Sequence, residues 1–146
     1  SDTATANMLD DYEEGTFSFS SITQAGGSGT LALKDNPNLM SYTKIGNRVF
    51  ISGRVDVDSN SANGGRFMLN GLPFTAADPG ERAGDALFHV QLTSGTGSQA
   101  SGFLAKVSSN DDDLYVHTYT GVGTSNDSAV TLAANTIIYI TGNYPV

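Results

Sequence analysis

Ser41-Tyr42-Thr43-Lys44-Ile45-Gly46-Asn47-Arg48-Val49-Phe50-Ile51-Ser52-Gly53-Arg54-Val55-Asp56-Val57-Asp58 is the stretch that decides the fold. Val49, Ile51, Val55 and Val57, with Gly53 among them, alternate with Arg48, Ser52, Arg54 and Asp56. Alternation with a period of two sorts these sets onto opposite faces of a strand. A helix of 3.6 residues per turn would scatter both around its circumference. Residues 48–58 are therefore read as one strand and 41–45 as another, with Gly46-Asn47 as the two-residue turn between them. Gly and Asn both tolerate the positive φ that hairpin turns matched to strand twist require.

Outward from this hairpin the same pattern recurs. It predicts strands at 16–22, 30–34, 66–70, 86–93, 102–108, 114–120 and 136–144. Turn clusters separate them at Gly26-Gly27, Asn63-Gly64-Gly65, Pro79-Gly80, 95–97, 110–113 and 121–128. No ten-residue stretch carries a capped helical stripe, apart from a short turn near 76–82. About nine short, evenly spaced strands imply an all-β, antiparallel β-sandwich of jelly-roll type. No internal repeat is present. Residues 1–14 are polar and acidic, with Asp10, Asp11, Glu13 and Glu14 around Tyr12. They read as a lead-in or linker to one domain over 15–146.

Composition agrees with a turn-rich β protein. Among 146 residues, 17 are Gly and 38% are apolar, while Ala-Leu-Glu-Lys patterning is sparse. A chain of this length buries roughly two-thirds of its unfolded surface and folds without a covalent staple. It has no Cys, so disulfides and thiolate metal sites are excluded. Net charge is −8, and the seven basic residues are scattered. Nucleic acid and anionic membranes are thereby poor partners, and no apolar run approaches the ~20 residues of a membrane helix. No signal peptide opens the chain. Its first residue reads as the edge of an excised piece, which leaves room for a signal or domain upstream.

Several strands carry large apolar residues on both faces. Phe88, Val90 and Leu92 alternate with Leu87; Phe103, Ala105 and Val107 with Leu104; Ile138 and Ile140 with Ile137 and Tyr139. One face of each strand fills the core, so the other calls for cover, and another subunit is the simplest cover. Leu87, Leu104, Ile137 and Tyr139 are the candidate interface residues.

Four elements, in order from residue 9 to 144, carry a family resemblance. Leu9-Asp10-Asp11-Tyr12-Glu13-Glu14-Gly15-Thr16-Phe17 resembles the LDDYEEGT-aromatic signature of bacteriophage tail fibres and tailspikes. Tyr42-Thr43-Lys44-Ile45-Gly46-Asn47-Arg48-Val49 is similar to their YTKIGN-x-V hairpin, and Gly71-Leu72-Pro73-Phe74-Thr75 to their GLPF element. The ending Ile138-Tyr139-Ile140-Thr141-Gly142-Asn143-Tyr144 is similar to their closing strand, and Ser18-Phe19 stands where Thr-Pro usually follows the aromatic. The resemblance implies a distal head domain of a trimeric phage adhesin, on the extracellular virion tail. Such heads are β-sandwiches packed around a three-fold axis and often contact host-surface glycans. The shared motifs are scaffold, so the resemblance transfers no ligand residues.

Asp10, Asp11, Glu13 and Glu14 are neighbours in a solvated segment, whereas acid–base catalysis needs carboxylates facing each other across a substrate. Residues 56–60 begin like a calcium loop, but Ser61 replaces the turn-making Gly and Phe67 the final Glu. Asp111, Asp112 and Asp113 would suit a hard cation, yet a solvated acidic turn is the commoner arrangement. His89 and His117 form a zinc pair only if their strands adjoin. His117 shares its face with Tyr115 and Tyr119, a Tyr-His-Tyr row whose flat rings suit either a sugar or a subunit interface. The expected protein is therefore a non-enzymic homotrimer without cofactor or metal. It binds host carbohydrate through the loops 95–101, 110–113 and 121–128, with Tyr115, His117, Tyr119 and Asp111–Asp113 as candidate contacts. A structural trimerisation cap without receptor contact is the alternative.

Overall fold

The computed structural model describes residues 11–25, 29–61, 66–81, 83–93, 103–119, 125–126 and 132–146. These residues are all-β, with no helix. In chain order the strands are β1 (Tyr12–Phe17), β2 (Ser21–Ala25), β3 (Leu31–Ile45), β4 (Arg48–Asn60) and β5 (Arg66–Asn70). They continue as β6 (Ala86–Thr93), β7 (Phe103–Val107), β8 (Asp113–Tyr119), β9 (Ser125–Asn126) and β10 (Ile137–Pro145). All pairings are antiparallel, in the order β1-β3-β4-β10-β6-β7-β8-β5-β2, with β9 on β8. The last strand of the chain thus lies mid-sheet, between β4 and β6. The sheet curls into a half-barrel, which brings β2 towards β3. The Ser18 hydroxyl donates to the Asn38 carbonyl, and the Asn38 amide donates to the Phe19 carbonyl at 3.1 Å.

The expected hairpin is present, with Ile45 opposite Arg48 across Gly46-Asn47. Only Gly46 has positive φ, at 56°, so a single left-handed residue at the first central position makes the turn. Two main-chain bonds hold the tip: Gly46 N–H donates to Asp11, and Val146 N–H to Asn47.

Three strands differ in their bounds from the sequence reading. The segment 16–22 is two strands, because the chain leaves the sheet at Ser18 and re-enters at Ser21, burying Phe19 between them. The segments 30–34 and 41–45 belong to one 15-residue strand, β3. Its register with β4 shifts between Leu33 and Asn38, around Pro37. Proline has no N–H to give the ladder and is accommodated where pairing lapses. The acidic lead-in is already strand from Tyr12, with Glu13 opposite Lys44 and Glu14 opposite Thr43. The Tyr42 hydroxyl donates to Glu13 at 2.5 Å.

The concave face holds one core. β4 supplies Val49, Ile51, Val55 and Val57; β10 supplies Ile138, Ile140 and Tyr144; β6 to β8 supply Phe88, Val90, Ala105, Val107, Leu114 and Val116. The 71–76 segment docks onto it through Leu72 and Ala76. The Tyr144 hydroxyl donates to the Phe74 carbonyl at 3.0 Å, and burial pushes its phenol up.

Candidate functional site

The convex face carries the groups with chemistry. Strand alternation sends Leu114 and Val116 of β8 into the core and turns Asp113, Tyr115 and His117 outward. Tyr115 lies opposite Lys106, and His117 opposite Leu104. Lys106, Ser108, Tyr115 and His117 line a concavity of about 240 Å³. Lys106 is held there by an ion pair to Asp85 at 2.8 Å. The main chain of Tyr119 pairs with Ser125, but its side chain lies outside the described residues. So do the loop residues 95–101 and, apart from Ser125 and Asn126, the loop 121–128.

The acidic turn is built as scaffold. Asn110 adopts a φ of 60°, and one Asp111 carboxylate oxygen accepts from the N–H groups of Asp112 and Asp113, at 2.9 and 3.1 Å. The turn's main chain also docks onto the 71–76 segment. Leu72 N–H donates to Asp112, and Ala76 N–H to Asp111, both at 2.8 Å. The three carboxylates place ligand atoms within 4.8 Å of one another. One of them is spent on closing the turn, the arrangement that makes Asp frequent in such positions.

His89 and His117 share a face and one cross-strand row, but Leu104 of β7 stands between them. Two strand spacings, about 10 Å, separate their backbones. Their strands do not adjoin, so the condition set for a zinc pair is not met.

A larger groove, of about 420 Å³, crosses β4, β10 and β6. Sequence reasoning placed Arg54 and Tyr139 facing outward but did not bring them together. The register does: Arg54 lies opposite Tyr139, which lies opposite Gln91, and the next row is Ser52, Thr141, His89. Arg54 forks onto Asp56 through Nε and Nη2, each at 2.7 Å. Its guanidinium carbon lies 6.0 Å from the centre of the Tyr139 ring. Asp56 sits on the outward face, as alternation requires, yet is only 5% exposed. The Arg54 hydrogen bonds hold its carboxyl below the usual range against the opposing effect of burial.

The four candidate interface residues differ in exposure. Leu87 is 65% and Tyr139 41% exposed, whereas Leu104 and Ile137 are half-buried within the single chain. Leu104 sits between the two histidines, and Ile137 lies opposite Asp56. Leu39, Ile45, Phe50 and Tyr12 are further exposed large residues on strands β1, β3 and β4.

Comparison with protein families, curated proteins and solved structures finds no match to this chain.

Proposed function

We propose that this domain is the head of a trimeric phage tail fibre or tailspike, attaching the virion tail to host-surface carbohydrate. The observation that carries the reading is the composition of the convex face. Exposed apolar residues such as Leu87 and Phe50 share it with concavities lined by aromatic and hydrogen-bonding side chains. Apolar residues of that kind are what a subunit contact buries. Rings edged with polar ends are what a sugar uses. In the assembled head the curled sheet supplies the layers of a jelly-roll-like sandwich, and three copies present three weak sites that act together by avidity. The motifs that resemble fibre heads lie in β1, the β3–β4 hairpin, the 71–75 segment and β10, where turn residues and core-facing side chains build the scaffold. Recognition is left to the convex face and the loops beside it, with Tyr115 and His117 in the smaller concavity.

A structural cap that registers three chains without touching a receptor is the second reading, favoured by the same exposed Leu87. Glycan-array and whole-cell binding of the isolated domain, beside its Tyr115→Ala variant, separates the two. Array binding by the wild-type trimer supports attachment, and its fall in the variant with the trimer intact assigns the contact to the smaller concavity. A wild-type trimer that binds neither cells nor glycans is the cap.

A further inference from the structure

We propose that the β4–β10–β6 groove is a binding site for an uncharged saccharide, with the Tyr139 ring as the platform for one sugar face. The inference rests on the carbohydrate-attachment reading and locates its principal site away from β8. It also takes Tyr139 out of the subunit contact.

Size is the first argument. The groove encloses about 420 Å³ against about 240 Å³ for the Tyr115–His117 concavity. Small-molecule sites run from roughly 300 to 1,000 Å³. Of these two concavities, the larger falls in that range.

Chemistry is the second. Two register rows set Arg54, Tyr139 and Gln91 beside Ser52, Thr141 and His89. An aromatic ring is thus framed by two hydroxyls, an amide, an imidazole and a guanidinium edge. Ser52, Thr141, His89 and Gln91 are exposed, and their polar ends are committed to no other group among the described residues. Uncommitted planar and hydroxyl groups around a ring match the alternating C–H face and hydroxyl rim of a pyranose.

Charge is the third. The groove's guanidinium is already neutralised by the fork onto Asp56. That pairing leaves no excess positive charge to select a carboxylated or phosphorylated ligand, and the bland, hydroxyl-rich rim favours a neutral one. It also fixes Arg54 against Tyr139, so the platform needs no ordering when a ligand arrives. The site lies mid-sheet, where every strand already has two partners, so it offers no free edge for an added peptide strand.

The test is a titration of isotope-labelled protein with glucose, galactose and N-acetylglucosamine at millimolar concentration, followed by amide chemical shifts. The same sugars are then titrated into Tyr139→Ala, Tyr139→Phe and Gln91→Ala. At least one sugar should shift the amides of residues 52–54, 89–91 and 139–141. Tyr139→Ala should weaken binding about tenfold, the loss of one stacking contact, while Tyr139→Phe stays near wild type. Melting and solution mass should not change, because Tyr139 lies outside the core. Shifts confined to residues 106–108 and 115–117 would overturn the groove and leave carbohydrate attachment standing at β8. A Tyr139→Ala variant that loses its trimer would return the residue to the interface and overturn the inference. If none of the sugars shifts any amide, the groove is rejected. Whole-cell adsorption of the same sample then shows whether the attachment reading falls with it.

Discussion

Gly142 and Gly46 are both glycines of necessity, for opposite reasons. A Cβ at Gly142 would lie 2.5 Å from Phe88 Cδ1 and 3.1 Å from Phe88 Cα, across the β10–β6 pair. Gly46 has open space around it, and its φ of 56° alone demands the residue. Gly142→Ala is therefore expected to destabilise by overpacking, about 1–3 kcal/mol. Gly46→Ala should cost about 1 kcal/mol through backbone strain. Urea midpoints at constant slope report both; equal stability of wild type and Gly142→Ala would show that Phe88 yields freely. Asp56 gives a pH-dependent case. Its folded pKa is depressed by Arg54, so its contribution is full above the unfolded value of about 3.9 and is lost as pH falls through the folded one. Asp56→Asn should melt a few degrees below wild type at pH 7. The gap should begin to narrow as pH falls below about 3.9 and close only once pH lies below the depressed folded value, where the wild-type carboxyl is itself protonated. A gap that persists unchanged at pH 2 would assign the loss to packing instead of charge.

At the scale of elements, β10 and β4 are the centre of the sheet and β1 is its border. β10 is paired on both sides and buries Ile138, Ile140 and Tyr144, whereas β1 is bonded only to β3 and most of its residues are exposed. Amides of the central strands should open only with global unfolding, and those of β1 at far lower free energy. Hydrogen exchange is expected to leave residues 53–55 and 138–140 protected long after 13–15 have exchanged. Ile138→Ala should cost about 2–5 kcal/mol, because a fully buried side chain with partners on every side cannot be replaced by local collapse. Equal protection in β1 would mean that something beyond β3 covers that border.

For the whole molecule, the decisive residue is Leu87. It is 65% exposed in the single chain, and burying it against a neighbour would contribute roughly 1.5–3 kcal/mol per copy. Light scattering is expected to give three times the 15.2 kDa of one chain, and Leu87→Asp to reduce the mass to that of a monomer. The melting of the isolated fold should change little, because the substitution leaves the concave core untouched. Ile137→Asp is the less informative variant, since Ile137 is half-buried within its own chain and opposite Asp56. A wild-type monomer would remove the trimeric reading altogether.

What the residues determined alone was local. The period-two run 48–58 and the Gly46-Asn47 pair specify the hairpin, because alternation and positive-φ tolerance act between sequence neighbours. The same rule correctly separated Phe88 and Ile138 from Leu87 and Tyr139, and Val107 from the half-buried Leu104, face by face. It left residues 35–40 out of any strand, although β3 runs through them and past Pro37. It also failed at Tyr12–Glu14, whose acidic character hid a border strand made by pairing with β3. What only the tertiary structure decided was adjacency. Nothing local places the C-terminal strand β10 between β4 and β6, since these strands lie far from it in the chain and are joined to it by core burial and register alone. That placement sets Arg54 against Tyr139 and Tyr139 against Gln91, and puts β7 between the two histidines. A side chain's face follows from its own position parity; its neighbours on that face depend on which strand the collapsed sheet sets alongside.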